Sequence, residues 1–209
     1  MTTAEQVARI LLKEKAVFLR PAEPFTWTSG IKSPVYCDNR LLISAVSSRE
    51  IIINAFLEVI RPLSVNLIAG TATAGIPWAA WIAHEMKLPL VYIRSSSKDH
   101  GRKNAIEGLA TAGQKSIVIE DLISTGKSSI AAAHKLREAG IEITSIMSIF
   151  TYDFPEVQEL FQKNGFCTSS LSNFEILAKV AYHDKMLDEK ALNQVLEWRK
   201  SVNINEHTS

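Results

Sequence analysis

The segment "SIVIEDLISTGKSS", residues 116–129, gathers side chains able to do phosphate chemistry. Its Gly126, Lys127 and Ser128 look like the end of a nucleoside-triphosphate P-loop. That motif needs a glycine five positions before Gly126, so that backbone N–H groups can wrap the phosphates. The residue there is Asp121, whose carboxylate would repel triphosphate oxygens. What remains is an apolar run ending in Glu120 and Asp121, a spacer of Leu122 and Ile123, a Ser124-Thr125-Gly126 turn, and a helix opening near Ser128. Amides and hydroxyls at a helix N-terminus bind one phosphate well. Carboxylates one turn away suit sugar hydroxyls or a hydrated Mg²⁺. Phosphate at one end and a vicinal diol at the other describe a ribose 5-phosphate. The bland alternative is a strand–turn–helix joint carrying two solvated acids.

A second cluster precedes it. Arg94, Lys98, His100, Arg102 and Lys103 are five cationic or titratable side chains within ten residues. Ser95–Ser97 and Gly101 permit hinge motion between them. Cations on such a segment suit a lid over a polyanionic leaving group, although charged runs are more often merely solvated. Its place after a strand end, beside the phosphate turn, favours the lid.

The elements that must position these residues are legible from periodicity. Residues 4–18 set Val7, Ile10, Leu11, Leu12, Ala16 and Val17 along one helical side. Residues 20–40 carry three prolines, a glycine and interleaved aromatics, which predicts turns and short strands. Residues 47–60 predict a helix opened by a serine cap. "VNLIAG", "PLVYIR", "KSIVIED" and "EITSIMSIFTY" predict strands, the first a buried parallel one. "GIPWAAWIAHEM", "SSIAAAHKLREAG" and "FPEVQELFQKNG" predict helices, the second stopped by Gly140. Residues 95–114 are polar, and residues 173–200 are mostly helical in pattern. Alternating strands and helices imply an α/β fold with a central parallel sheet covered on both faces. Ligands of such sheets gather at the carboxyl ends of the strands, where both clusters fall.

Bulk properties narrow the class. The chain has 209 residues, 46% of them hydrophobic and 22% charged, with a net charge of +1. That length suits one domain with its own core. The charge offers no field for nucleic acid or membrane binding. No apolar run is long enough to span a bilayer, and the N-terminus lacks a signal-peptide layout. Two cysteines, Cys37 and Cys167, make no disulfide framework, so a cytoplasmic location is expected. Cys37 reads as small pocket filler, Trp27, Trp78 and Trp81 as core or interface. His84, His134 and His183 lack metal-ligand spacing and read as surface residues.

The 116–129 segment resembles the phosphoribosyl pyrophosphate signature of type I phosphoribosyltransferases, with Lys127 where a second glycine is usual. "FTWTSGIKSPVYCDNR" resembles the base-pocket segment of orotate phosphoribosyltransferases, and "YIRSSSKDHGRKNAIEG" their catalytic loop. "GTATAGIP" and the closing "LEWRK" extend the resemblance over nearly the whole chain. It implies the type I phosphoribosyltransferase fold, with residues 1–45 forming a base-binding hood on a single domain 1–209. It further implies transfer of a ribosyl 5-phosphate from phosphoribosyl pyrophosphate to orotate. Residues 120–128 would hold phosphoribosyl pyrophosphate, and Ser124, Lys32 and Tyr36 would hold orotate. Arg94, Lys98 and His100 would face the pyrophosphate. Mg²⁺ would be held mainly by substrate and water, with no protein metal site. A homodimer with shared active sites is implied, with neither nucleic acid nor membrane as partner. Three cations of the best-known branch are missing, at Thr28, Ala74 and Ser95, which leaves more of the task to Arg94, Lys98 and His100. A transferase for another base and a non-catalytic phosphoribosyl pyrophosphate sensor are the rival readings.

Overall fold

A computed structural model describes residues 1–27, 30–94 and 105–202. Its main sheet has six strands: β5 (Leu67–Thr71), β6 (Leu90–Ile93), β7 (Ile106–Glu107), β8 (Lys115–Ile123), β9 (Glu142–Thr151) and β10 (Thr168–Asn173). Their spatial order is β10-β9-β8-β5-β6-β7, parallel except for β7. The central β5 is buried at every residue, as a strand covered on both faces must be. From β5 the chain runs outward through α3 (Gly75–Met86) to β6. From β8 it runs the other way through α4 (Lys127–Glu138) to β9, then through α5 (Pro155–Lys163) to β10. Right-handed crossovers leaving in opposite directions put α3 on one face and α4 and α5 on the other. The order therefore reverses between β5 and β8, and a crevice opens at their carboxyl ends. Thr71 and the Glu120–Asp121 pair lie there.

The remaining elements close the molecule. Helix α1 (Thr3–Lys13), with a Thr2/Glu5 capping box, packs on α6 (Phe174–His183) and β10. Helix α2 (Val46–Ile60) packs on α3, and α7 (Glu189–Ser201) packs on α6. Between α1 and α2 lie two small sheets. One pairs β1 (Val17–Leu19) with β4 (Val35–Cys37); the other pairs β2 (Phe25–Thr26) with β3 (Lys32–Ser33). A 3₁₀ turn, Asn39–Ile43, follows.

Several sequence expectations need correction. The first helix stops at Lys13, because Lys15 turns left-handed at φ 55°. Ala16 and Val17 are buried, but in the turn and strand beyond. The second helix is not opened by a serine: Ala45 is its N-cap and has no side-chain oxygen to accept a first-turn N–H. Ser48 lies inside it, buried, with its hydroxyl donating to Glu14 Oε1 at 2.7 Å. The polar stretch before residue 115 contains β7, whose two residues pair antiparallel with β6. The segment before the last two helices contains β10, whose Thr-Ser-Ser-Leu-Ser-Asn composition gives no apolar run to detect. His134 is half-buried and meets Asn164 Oδ1 at 2.8 Å, rather than facing solvent. Trp78 is core, fully buried and edge-on to Trp81 at 5.3 Å.

Gly75 fixes how closely α3 approaches the strand that carries the acids. A β-carbon there would collide with the Ile119 carbonyl oxygen and with Thr71 Oγ1. Neither the strand backbone nor the buried threonine can yield cheaply. Gly75→Ala is expected to cost about 1–3 kcal/mol of stability, read as a drop in Tm, whereas an unchanged Tm would show that α3 floats on the sheet.

Candidate active site

Strand β8 runs unbroken through both acids and ends at Ile123, so the two carboxylates stand on an ordered ladder opposite Ser148 and its neighbours. Alternation along a strand sends consecutive side chains to opposite faces. Glu120 accordingly turns inward, only 6% exposed, towards the start of α4. Its Oε2 accepts from Ser129 Oγ at 3.2 Å and Ser128 Oγ at 3.4 Å, and its Oε1 from the Asp121 N–H at 3.1 Å. Asp121 is half-buried, so neither acid is the solvated carboxylate of the bland alternative. Burial, with the neighbouring Asp121 charge, pushes Glu120 up to about 8. Burial also raises Asp121, although the hydrogen bond from Glu120 and nearby Arg40 oppose it. Near neutral pH the pair holds a proton, with Glu120 as the natural carrier.

The turn after the strand is built for close approach. Gly126 takes φ +73°, and a β-carbon on it would meet Phe161 at 2.8 Å. It is the N-cap of α4 and supplies no side-chain cap. The first-turn N–H groups of that helix are thus not taken up by a capping side chain, and the positive end of its dipole faces the turn. Ser124 and Thr125 are half-buried; Lys127 and Ser128 are exposed. This is a cradle for an anion at the end of β8, one turn from the two acids.

Arg94 sits at the carboxyl end of β6, where its Nη1 lies 3.1 Å from Glu107 Oε1. Its N–H donates to the Ala105 carbonyl, and its carbonyl accepts from Lys135 Nζ at 2.8 Å. Its charge is therefore shared with Glu107, a partner that sequence reading missed because β7 was read as loop. Lys98 and His100, with Ser95, Arg102 and Lys103, lie outside the described residues, as does Thr28. Ala74 is the N-cap of α3.

In the N-terminal segment, Lys32 is exposed on β3 and Tyr36 is 40% exposed on β4. Tyr36 leans on Phe25, ring centroids 5.6 Å apart. The residue that ties this segment to the acids was not singled out in sequence. Asn39 is buried, and its Nδ2 donates to the Asp121 carbonyl at 2.7 Å while its Oδ1 accepts from Cys37 Sγ at 3.3 Å. Its only sequence signal is its place in the "YCDNR" run. Burial pushes the Cys37 thiol well up, which keeps it protonated and non-nucleophilic.

A family model, the phosphoribosyl transferase domain, matches residues 42–184, which include the whole sheet and the cradle. The class is therefore a phosphoribosyltransferase. Orotate phosphoribosyltransferase of Coxiella burnetii is 46% identical over 202 residues, 96% of this chain and 97% of that one. The crystal structure of orotate phosphoribosyltransferase from Aeropyrum pernix superposes with TM-score 0.75 at 30% identity, over 84% of this chain and 98% of the other. Leishmania donovani UMP synthase superposes with TM-score 0.82 at 27% identity, over 95% of this chain, which spans 42% of that longer one. This chain belongs to the orotate phosphoribosyltransferase family.

The proton on the carboxyl pair has a stability consequence. Glu120 is raised on folding, so its contribution is present at low pH and fades as pH rises from its ordinary value, near 4.5, through about 8. Ligand-free protein should lose several degrees of Tm between about pH 5.5 and 8.5. Glu120→Gln mimics the neutral acid and should flatten that decline; equal pH slopes in the two proteins would place the proton elsewhere.

Proposed function

We propose that the crevice between β5 and β8 transfers a ribosyl 5-phosphate from phosphoribosyl pyrophosphate to orotate, giving orotidine 5-monophosphate, the step that leads to UMP in pyrimidine synthesis. The observation that carries this reading is the junction of a desolvated carboxyl pair with a glycine-capped helix start. It is supported by family membership along almost the whole chain.

In this reading the 5-phosphate lies on the turn and first helical amides, residues 124–128, and the ribose hydroxyls donate to Glu120 and Asp121. Hydroxyl donors favour a carboxylate anion, so sugar binding displaces the proton from the pair. The C1–oxygen bond to pyrophosphate breaks with its electrons leaving on pyrophosphate. Orotate N1 forms the new bond from the opposite face, and its proton passes to the departing pyrophosphate. Arg94, Lys98 and His100 stabilise the departing charge, as preorganised cations do. Lys32, Tyr36 and Ser124 hold orotate, beneath a hood formed by residues 1–45.

Among the described residues no three His, Cys, Asp or Glu side chains converge on one point. Two adjacent carboxyls fit a Mg²⁺ that takes most of its ligands from substrate and water. Bound there, it would neutralise pyrophosphate charge. The reading also takes up the homodimer with shared sites and a cytoplasmic location. Among the described residues no helix is long and apolar enough to cross a membrane.

Orotate absorbance should fall when phosphoribosyl pyrophosphate and Mg²⁺ are added, and should stay constant with excess chelator. Steady absorbance with Mg²⁺, alongside consumption of adenine or hypoxanthine instead, would give the reaction to another base. Asp121→Asn should lower kcat/KM for phosphoribosyl pyrophosphate roughly 10- to 150-fold, the worth of one charge-assisted hydrogen bond. Shared sites give a complementation test. Mixing Lys98→Ala and Asp121→Asn subunits should restore activity, because each mixed dimer would hold one intact site. A mixture no more active than its two variants alone, with heterodimers demonstrated, would place both groups in one subunit.

A further inference from the structure

The hairpin that presents Lys32 is too small to hold its own shape. Strands β2 and β3 have two residues each, joined by Trp27 N–H to Ile31 O at 2.9 Å and Gly30 N–H to Trp27 O at 2.8 Å. Two-stranded ribbons of this size are marginal in water and need support from outside. That support comes from the far end of the chain. The indole N–H of Trp198, on α7, donates to the Lys32 carbonyl at 2.8 Å, across 166 residues of sequence. The Trp198 ring is gripped by three others: Trp27 at 6.0 Å edge-on, Phe154 at 6.0 Å and Phe174 at 5.7 Å. Trp27 in turn packs on Tyr152 at 5.0 Å and donates its own N–H to the Val35 carbonyl at 3.2 Å. Helix α7 is independently fastened by Arg199 Nη1, which donates to the Asp153 carbonyl at 2.6 Å.

From this arrangement we propose that Trp198 is a positioning residue for the base-side pocket, acting through the Lys32 peptide. A hydrogen bond to the carbonyl of a residue fixes its peptide plane, and hence the direction in which its side chain leaves the backbone. The Lys32 ammonium is on a long, exposed stem, so its reach into the crevice depends on that anchor. The C-terminal helix is thus part of the device that recognises the base. This inference rests on the reading that Lys32 holds orotate.

Trp198→Phe tests it, because a phenyl ring keeps the aromatic packing and removes the N–H. The apparent KM for orotate should rise about three- to tenfold, the worth of one neutral hydrogen bond. The KM for phosphoribosyl pyrophosphate should stay within about twofold, because the Glu120–Ser129 and Gly126 contacts are untouched. Phe174→Leu removes packing from the same cluster without touching the Lys32 carbonyl. It should lower Tm while leaving the ratio of the two KM values in place. Parallel rises in both KM values, or none in the Trp198→Phe protein, would overturn the proposal. Were Trp198→Phe not to fold, Trp198→Met, which likewise has no donor, would be read by the same ratio. Lys32→Ala separates the two layers of argument. A large orotate effect in Lys32→Ala with none in Trp198→Phe refutes the anchor. No orotate effect in Lys32→Ala refutes the assignment of Lys32 itself.

Discussion

A buried carboxyl at the end of a central strand is the constraint on which the rest of this structure turns. Glu120 leaves water at the point where β8 gives way to α4, and desolvating a carboxylate costs several kcal/mol unless it is neutralised or well bonded. The fold answers with the Ser128 and Ser129 hydroxyls, the Asp121 N–H and a retained proton. Each answer needs a neighbour in place. The serines require that α4 begin within one turn of the strand, which the left-handed Gly126 makes sterically feasible. On the other face of the sheet, Gly75 lets α3 press against the Ile119 carbonyl, one residue before the acid. The same glycine turn that shortens the path from strand to helix leaves helix amides open to an anion. The acid pair and the uncapped helix start are two results of one joint.

The second organising feature is reach. The base side of the crevice is built from segments that the sheet does not hold directly. Asn39 ties the N-terminal segment to the Asp121 carbonyl, and Trp198 ties the hairpin to the C-terminal helix. Arg94 is bracketed by Ala105, Glu107 and Lys135, so both ends of the cationic segment are fastened to the sheet and to α4. The Asn39 and Trp198 ties use neutral side chains bonding to main-chain carbonyls, which fix backbone position without adding charge. They are also net favourable by only about 1 kcal/mol each, which makes the pocket tunable without endangering the core.

What was legible in the sequence follows from how local its cause was. Helix α3 spans Gly75–Met86, the boundaries read from its apolar period, and β8 was evident because an apolar run ends abruptly in two acids. The phosphate turn could be read because a glycine and hydroxyls at fixed offsets have a stereochemical reason to be there. Strand β10 could not, because four of its six residues are serine or threonine and its pairing with β9 supplies what its composition lacks. The inward turn of Glu120 was also hidden. Strand alternation says that one of two adjacent acids must face inward, but which one depends on the helix above it. Asn39 and Trp198 escaped for the same reason, since their partners are 82 and 166 residues away. The family resemblance covered these segments without saying what each of those residues holds.

If the carboxyl pair carries a proton that ribose hydroxyls displace, binding of phosphoribosyl pyrophosphate must release it. Calorimetric titration with phosphoribosyl pyrophosphate and Mg²⁺ near pH 7, repeated in buffers of different ionisation enthalpy, counts the protons released on binding. Subtracting the Glu120→Gln value removes those that come from the ligand's own phosphates. The wild-type protein should show an excess release approaching one proton per site. Equal release by the two proteins would contradict it.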